Sequence, residues 1–157
     1  MNIKVKKLVD DAIIPSRGSS EAAGYDLYAN SMENLNSASS DQTNGIHTLN
    51  PHETVKVHTG IAIELPDGYF GAVFARSGLS TKAGLRPANC VGVVDSDYRG
   101  EIIVALHNDS DSPKKIIKDM KVAQLVLMPY ITMEFEEVDD LNSTDRGEGG
   151  FGSTGMN

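Results

Sequence analysis

Residues 89–100, NCVGVVDSDYRG, place two carboxylates, a tyrosine, an arginine and a glycine at the end of an apolar run. A carboxylate at the mouth of a buried strand is held in place and can serve as a general base. The same residue types also serve a turn, with Asp and Ser bonding back to the local backbone. On this stretch alone the turn reading leads, and Asp95 and Asp97 are interchangeable.

Two further stretches could carry chemistry. Residues 75–82, ARSGLSTK, follow a predicted strand and open a short predicted helix. Free backbone N–H groups at a helix start, with the Arg76 guanidinium and the Ser77 hydroxyl, make an anion cradle. The plainer alternative is a helix cap by Ser77 with Arg76 solvated. The GxxxxGK[ST] spacing of a Walker A loop is absent. Residues 146–155, RGEGGFGSTG, have the composition of a disordered tail. Arg146, Phe151 and the following Ser153-Thr154 open a second reading, because glycines let a backbone fold around phosphates while a ring stacks on a base. Such a segment would be a closing lid. His47, His52, His58 and His107 show no HxxxH or HExxH spacing, so protein-ligated zinc is not expected. No serine has a G-x-S-x-G setting, which weighs against a Ser/His/Asp hydrolase.

The elements that must position these residues are strands. Across residues 53–65, Val55, Val57, Ile61, Ile63 and Leu65 alternate with mostly polar neighbours, which predicts a half-buried strand interrupted near Gly60. Pro66-Asp67-Gly68 predicts a turn into a second strand over 69–75, making a hairpin. Further strands are predicted at 3–9, 25–29, 90–94, 101–108, 114–117, 122–130 and 131–138, with residues 102–106 apolar enough to be covered on both faces. Only residues 77–83 read as helix. Many short strands separated by turns predict a sandwich or jelly roll. Residues 31–45 are polar and predict a solvent-facing loop insertion, and residues 139–157 predict a flexible C-terminal arm.

The chain has 157 residues, which suits one domain with its own core. A formal charge of −8 opposes a nucleic-acid groove or an anionic membrane surface as partner. It leaves room for a small anionic ligand, because a few arginines and a divalent ion reverse the field inside one cleft. Cys90 is the single cysteine, so no disulfide forms within the chain and a reducing compartment is expected. The start, MNIKVKKLVDDAI, has no apolar signal-like run, and no stretch approaches the ~20 apolar residues of a membrane helix. A soluble, cytoplasmic domain is expected.

Taken together, these stretches resemble the five ordered motifs of the trimeric dUTP diphosphatase (dUTPase) family. The candidates are AAGYDLYA at 22–29, ARSGLSTK at 75–82, NCVGVVDSDYRG at 89–100, MKVAQ at 120–124 and RGEGGFGSTG at 146–155. Two departures are visible: Asp119-Met120 stand where the family commonly has Gly-Asp, and Ala75 where it commonly has proline. The first puts the local turn in question more than the chemistry, since Gln124 remains.

The resemblance implies an all-β, jelly-roll-like β barrel with one short helix, assembled as a homotrimer with sites between subunits. It implies hydrolysis of dUTP to dUMP and pyrophosphate, which keeps uracil out of DNA and supplies dUMP. By position, Asp95 would activate the attacking water. Tyr98 would pack under the deoxyribose. Asn89, the backbone of Gly92, Val93, Val94 and Asp95, and the strand near Ile103 would bind the uracil edge. Arg76, Ser77 and Gly78 would hold the phosphates, with Gln124 assisting. Arg146 would meet the γ-phosphate, Phe151 would stack on uracil, and Gly152, Ser153 and Thr154 would close over the chain. Mg²⁺ would be held by phosphates and water with no direct protein ligand, and Asp26 could touch its water shell. A dCTP deaminase or bifunctional relative shares the fold, but its chemistry wants a glutamate base where this chain has Asp95. A non-catalytic nucleotide-dependent partner-binding module is the alternative from another class.

Overall fold

The computed structural model describes residues 1–35 and 45–151. Its strands are β1 (Lys4–Lys7), β2 (Ser16–Arg17), β3 (Tyr25–Tyr28), β4 (Ser31–Asn34), β5 (Ile46–Leu49), β6 (Thr54–His58) and β7 (Ile61–Glu64). They continue with β8 (Tyr69–Phe74), β9 (Leu85–Pro87), β10 (Val91–Val94), β11 (Ile103–Asn108), β12 (Lys114–Ile117) and β13 (Lys121–Pro129). One short helix, Leu79–Ala83, lies between β8 and β9. The pairing is antiparallel throughout, in sheets ordered β10-β8-β13-β3-β2 and β4-β6-β11-β9, with ribbons β1-β7 and β12-β5.

Period-two alternation explains why this sequence layers. Val55 and Val57 of β6 and Leu106 of β11 point inward from one large sheet, and Leu27 of β3 and Ala123 of β13 from the other. Leu49 and Ile116 close the space from the β5–β12 ribbon, and all seven side chains are completely buried. Each large aliphatic among them contributes about 1.5–3 kcal/mol relative to exposure. The arrangement is the jelly-roll-like, almost all-β class expected, although hydrogen bonding among the described residues does not close it into a continuous barrel. No helix among the described residues is long and apolar enough to cross a membrane.

Four expectations are corrected. β7 and β8 form no hairpin: β7 pairs with β1, while β8 pairs with β10 and β13, so the Pro66-Asp67-Gly68 turn carries the chain between sheets. Residues 131–138 form no strand and are exposed along their whole length. Residues 31–34, placed in the loop insertion, are strand β4 with Met32 buried against the core. Residues 36–44 of that insertion lie outside the described residues. Finally, residues 102–106 are covered on one face: Ile102, Val104 and Leu106 are buried, while Ile103 is 42 % exposed.

Two polar features hold the loops. Asn108 is fully buried; its Nδ2 donates to the carbonyls of Leu49, Asn50 and Ser112, and its Oδ1 accepts from the backbone and hydroxyl of Ser110. Asn108→Ala would orphan several of these groups at a cost of about 3 kcal/mol. Thermal melts should show a midpoint lower by about 6–12 °C. At the departure from the fourth motif, Asp119 adopts φ 65, the left-handed conformation for which glycine is the usual residue. Asp tolerates this region, and the bond from Asp119 N–H to Ala29 O at 2.7 Å keeps the turn into β13.

Candidate active site

β10 ends at Val94, and the chain turns through residues 95–102 before re-entering as β11. Between these two strands and the turn before β10 lies a cleft of about 390 Å³. It is lined by Asn89, Gly92, Val93, Val94, Asp95, Tyr98 and Ile103, together with Val73, Pro87, Ala105 and Glu101. Seven of the residues expected from the sequence therefore meet in one place. Ile103 and Ala105 reach it because the outer face of β11 is uncovered.

The geometry separates the two carboxylates. Asp95 lines this cleft and also an adjoining cavity of about 680 Å³, where it meets Asp67, Phe70, Ser96, Asp97 and Tyr130. Asp97 lines only the second. Among the described residues the Asp95 carboxylate has no hydrogen-bond partner, so its lone pairs are available to a water. Arg99 donates to the carbonyls of Ser96 and Tyr98 and so braces the turn.

Tyr98 is locked from two sides. Its hydroxyl donates to Glu101 O at 2.9 Å, and its ring lies on Gly100, where a Cβ would collide with ring and hydroxyl atoms. Gly100 is thus needed for close approach. Glu101 was not singled out from the sequence. Both of its carboxylate oxygens are engaged, Oε1 accepting from Gly60 N–H at 2.7 Å and Oε2 lying 2.8 Å from His58 Nδ1. A glutamate so engaged is not presented to a pyrimidine as a base.

Asp26, Arg76, Ser77, Gly78 and Gln124 gather around a different cavity, of about 300 Å³, with Gly18, Ala22, Gly24 and Leu79. Arg76 Nε donates to Asp26 Oδ1 at 2.9 Å and Lys121 Nζ to Oδ2 at 2.7 Å, so one largely buried carboxylate carries two cations. The bond to Asp26 pushes the Lys121 ammonium above its usual pKa. The surplus positive charge suits an anion. Gln124 Nε2 donates to Ala75 O at 2.9 Å; this uses only the backbone of residue 75, so alanine serves there as proline would. A side chain at Gly24 would strike the Gln124 amide. The helix is not capped by Ser77: Gly78 is the N-cap and no side chain bonds to the free N–H groups.

Of the expected lid residues, Arg146 and Phe151 line none of these cavities. Phe151 is fully exposed and Arg146 Nε donates to Gly149 O at 2.7 Å in a local turn. Gly152, Ser153 and Thr154 lie outside the described residues. Among the described residues no group of three or more His, Cys, Asp or Glu side chains is arranged to hold a metal ion.

A sequence model of the dUTPase family matches residues 10–155. Deoxyuridine 5'-triphosphate nucleotidohydrolases of Hydrogenobaculum sp. and Desulfitobacterium hafniense are similar, at 42 % identity with 99 % of both chains covered and at 46 % with 91 % of this chain and 87 % of the relative covered. Among solved structures, a point mutant of the dUTPase of Staphylococcus bacteriophage 80alpha with dUpNHpp matches at TM-score 0.82 and 27 % identity, covering 99 % of both chains. A mutant of the dUTPase of phage phi11 of S. aureus, with a structural Mg(II) ion coordinated, matches at TM-score 0.72 and 25 % identity, covering 91 % of this chain and all of that one. The five motifs are thus part of a likeness that runs nearly end to end, and the chain belongs to the dUTPase family.

Proposed function

We infer that this chain hydrolyses dUTP to dUMP and pyrophosphate, with water attacking the α-phosphorus. The observation that carries the reading is the cleft between β10 and β11, lined by an Asp95 carboxylate with no hydrogen-bond partner among the described residues. A carboxylate at a strand end can orient and deprotonate one water in a fixed direction. The uracil edge is read by the backbone of residues 92–95, by Asn89 and by Ile103. Rigid strand walls leave no space for the thymine methyl, and backbone donors and acceptors reject cytosine. Tyr98, pinned on Gly100, lies under the deoxyribose and excludes a 2′-hydroxyl.

The phosphates belong to the second cradle, around Arg76, Ser77, Gly78 and Gln124. The two cavities share no lining residue, which supports a site completed by a neighbouring subunit of a homotrimer. The exposed run Ile131, Met133 and Phe135, with its period-two apolar pattern and no strand partner, supports the same assembly. Asp26 holds Arg76 through Nε, and Nη1 donates to Lys121 O at 3.4 Å, which leaves Nη2 for a phosphate oxygen. Arg146, Phe151 and residues 152–154 close over the bound nucleotide. The lone Cys90 suits a reducing, cytoplasmic setting.

Mg²⁺ fits this arrangement through its preference for hard oxygen donors, with substrate phosphates as its ligands and Asp26 as the carboxylate nearest the cradle. When bound it would neutralise charge at the scissile bond, which three carboxylates of the adjoining cavity would otherwise repel. Hydrolysis in ¹⁸O-labelled water tests the point of attack. Label is expected in dUMP; label in pyrophosphate would place the attack on the β-phosphorus and remove Asp95 from the role given to it.

A further inference from the structure

Asn89 reaches the cleft from the turn between β9 and β10, and that turn is held from outside by one side chain. Arg86 of β9 donates from Nε and Nη2 to the two carboxylate oxygens of Asp109, at 2.6 and 3.0 Å. Its Nη1 donates to the carbonyls of Pro87 at 3.1 Å and Ala88 at 3.3 Å, and lies 3.9 Å from Cys90 Sγ. Asp109 is itself anchored: its N–H donates to Gly84 O at 2.8 Å, and its Oδ1 lies 3.4 Å from His107 Nε2. The turn needs such support, because Cys90 takes φ 63, a left-handed conformation that a non-glycine residue resists. Inside the cleft, Asn89 lies over Gly92, where a Cβ would come within 3.5 Å of Asn89 Nδ2.

We propose that Arg86, clamped on Asp109, is a positioning residue for base recognition that sets the turn from which Asn89 meets the pyrimidine edge. The inference rests on the uracil reading of this cleft. Arg86 lines none of the cavities, so it acts through the turn and touches no substrate. Two features favour arginine here. Its planar fork engages a carboxylate with two nitrogens while the third reaches the turn carbonyls, which a lysine ammonium on a flexible stem cannot reproduce. The bond from Arg86 also holds the Asp109 carboxyl below its usual pKa, as a charge-assisted pair does.

The test is a double-mutant cycle on steady-state kinetics with dUTP and dCTP, using Arg86→Ala, Arg86→Lys, Asn89→Ala and Arg86→Ala/Asn89→Ala. Arg86→Ala and Arg86→Lys should each raise KM for dUTP about tenfold and narrow the preference for dUTP over dCTP, with kcat within about twofold. In the Asn89→Ala background, Arg86→Ala should add no further loss of preference. Full multiplication of the two effects, a fall in kcat at unchanged KM, or wild-type kinetics in Arg86→Lys would each overturn the proposal. Asp109→Asn, which keeps the packing but removes the charge, should reproduce the KM shift if Arg86→Ala does not fold; normal KM in that variant would also overturn it. Wild-type protein with no preference for dUTP would mean that the uracil reading has failed, and the inference with it; a wild-type preference left intact by Arg86→Ala would mean that only the inference has failed.

Discussion

Asp95→Asn is expected to bind nucleotide with near-normal affinity and to lose at least about 10²-fold in turnover, the scale of a positioned general base. The substitution keeps the shape of the side chain and removes its capacity to take a proton. Because Asp95 has no hydrogen-bond partner among the described residues, the change breaks no contact of the fold. The melting temperature should therefore be unchanged, and a loss of activity would report on chemistry. Asp97→Asn is the matched control: it lies one cavity away from the cleft, and its turnover should stay close to that of the parent. Equal losses in both variants would mean that the acidic cavity acts as a whole through its field. Unchanged turnover in Asp95→Asn would remove it as the base.

Deletion of residues 146–157 should reduce dUTP turnover by about 10²-fold or more while leaving the fold and the assembly in place. Closing segments act by orienting the substrate and excluding water, and misplacement on the scale of 1 Å is worth that much. Arg146 and Phe151 are exposed, and Arg146 is engaged only in a local turn, so their removal costs the core nothing. Size-exclusion chromatography with light scattering on the truncated chain distinguishes the outcomes. An inactive chain with the assembly of the full-length protein supports a lid. Loss of the assembly that the full-length chain forms would make the tail structural, and full activity would dissociate it from the site.

The cleft was legible in the sequence because it is local. Asn89, Asp95 and Tyr98 sit in the two turns that flank one strand, β10, and turn chemistry is written in neighbouring residues. What escaped was what the sheet order brings together. Asp26, Arg76 and Lys121 come from three distant segments, joined because β13 lies between β8 and β3 in one sheet. Glu101 meeting His58 depends on the register of β11 against β6, in which Ile103 pairs with His58. β4 was missed because Ser31, Glu33 and Asn34 are polar and Met32 alone faces the core. The turn Pro66-Asp67-Gly68 has the chemistry of a hairpin, yet its flanking strands belong to different sheets, a choice made by tertiary pairing. Residues 131–138 carry a strand's apolar pattern yet pair with no strand among the described residues.

The central claim is that the cleft between β10 and β11 selects uracil and presents the α-phosphate to the water held by Asp95. A product assay with dUTP, dTTP, dCTP and UTP, each with Mg²⁺, addresses it most directly. Stoichiometric dUMP and pyrophosphate from dUTP, with little turnover of the other three, is the predicted result. Release of ammonia from dCTP, or no turnover of dUTP, would contradict it.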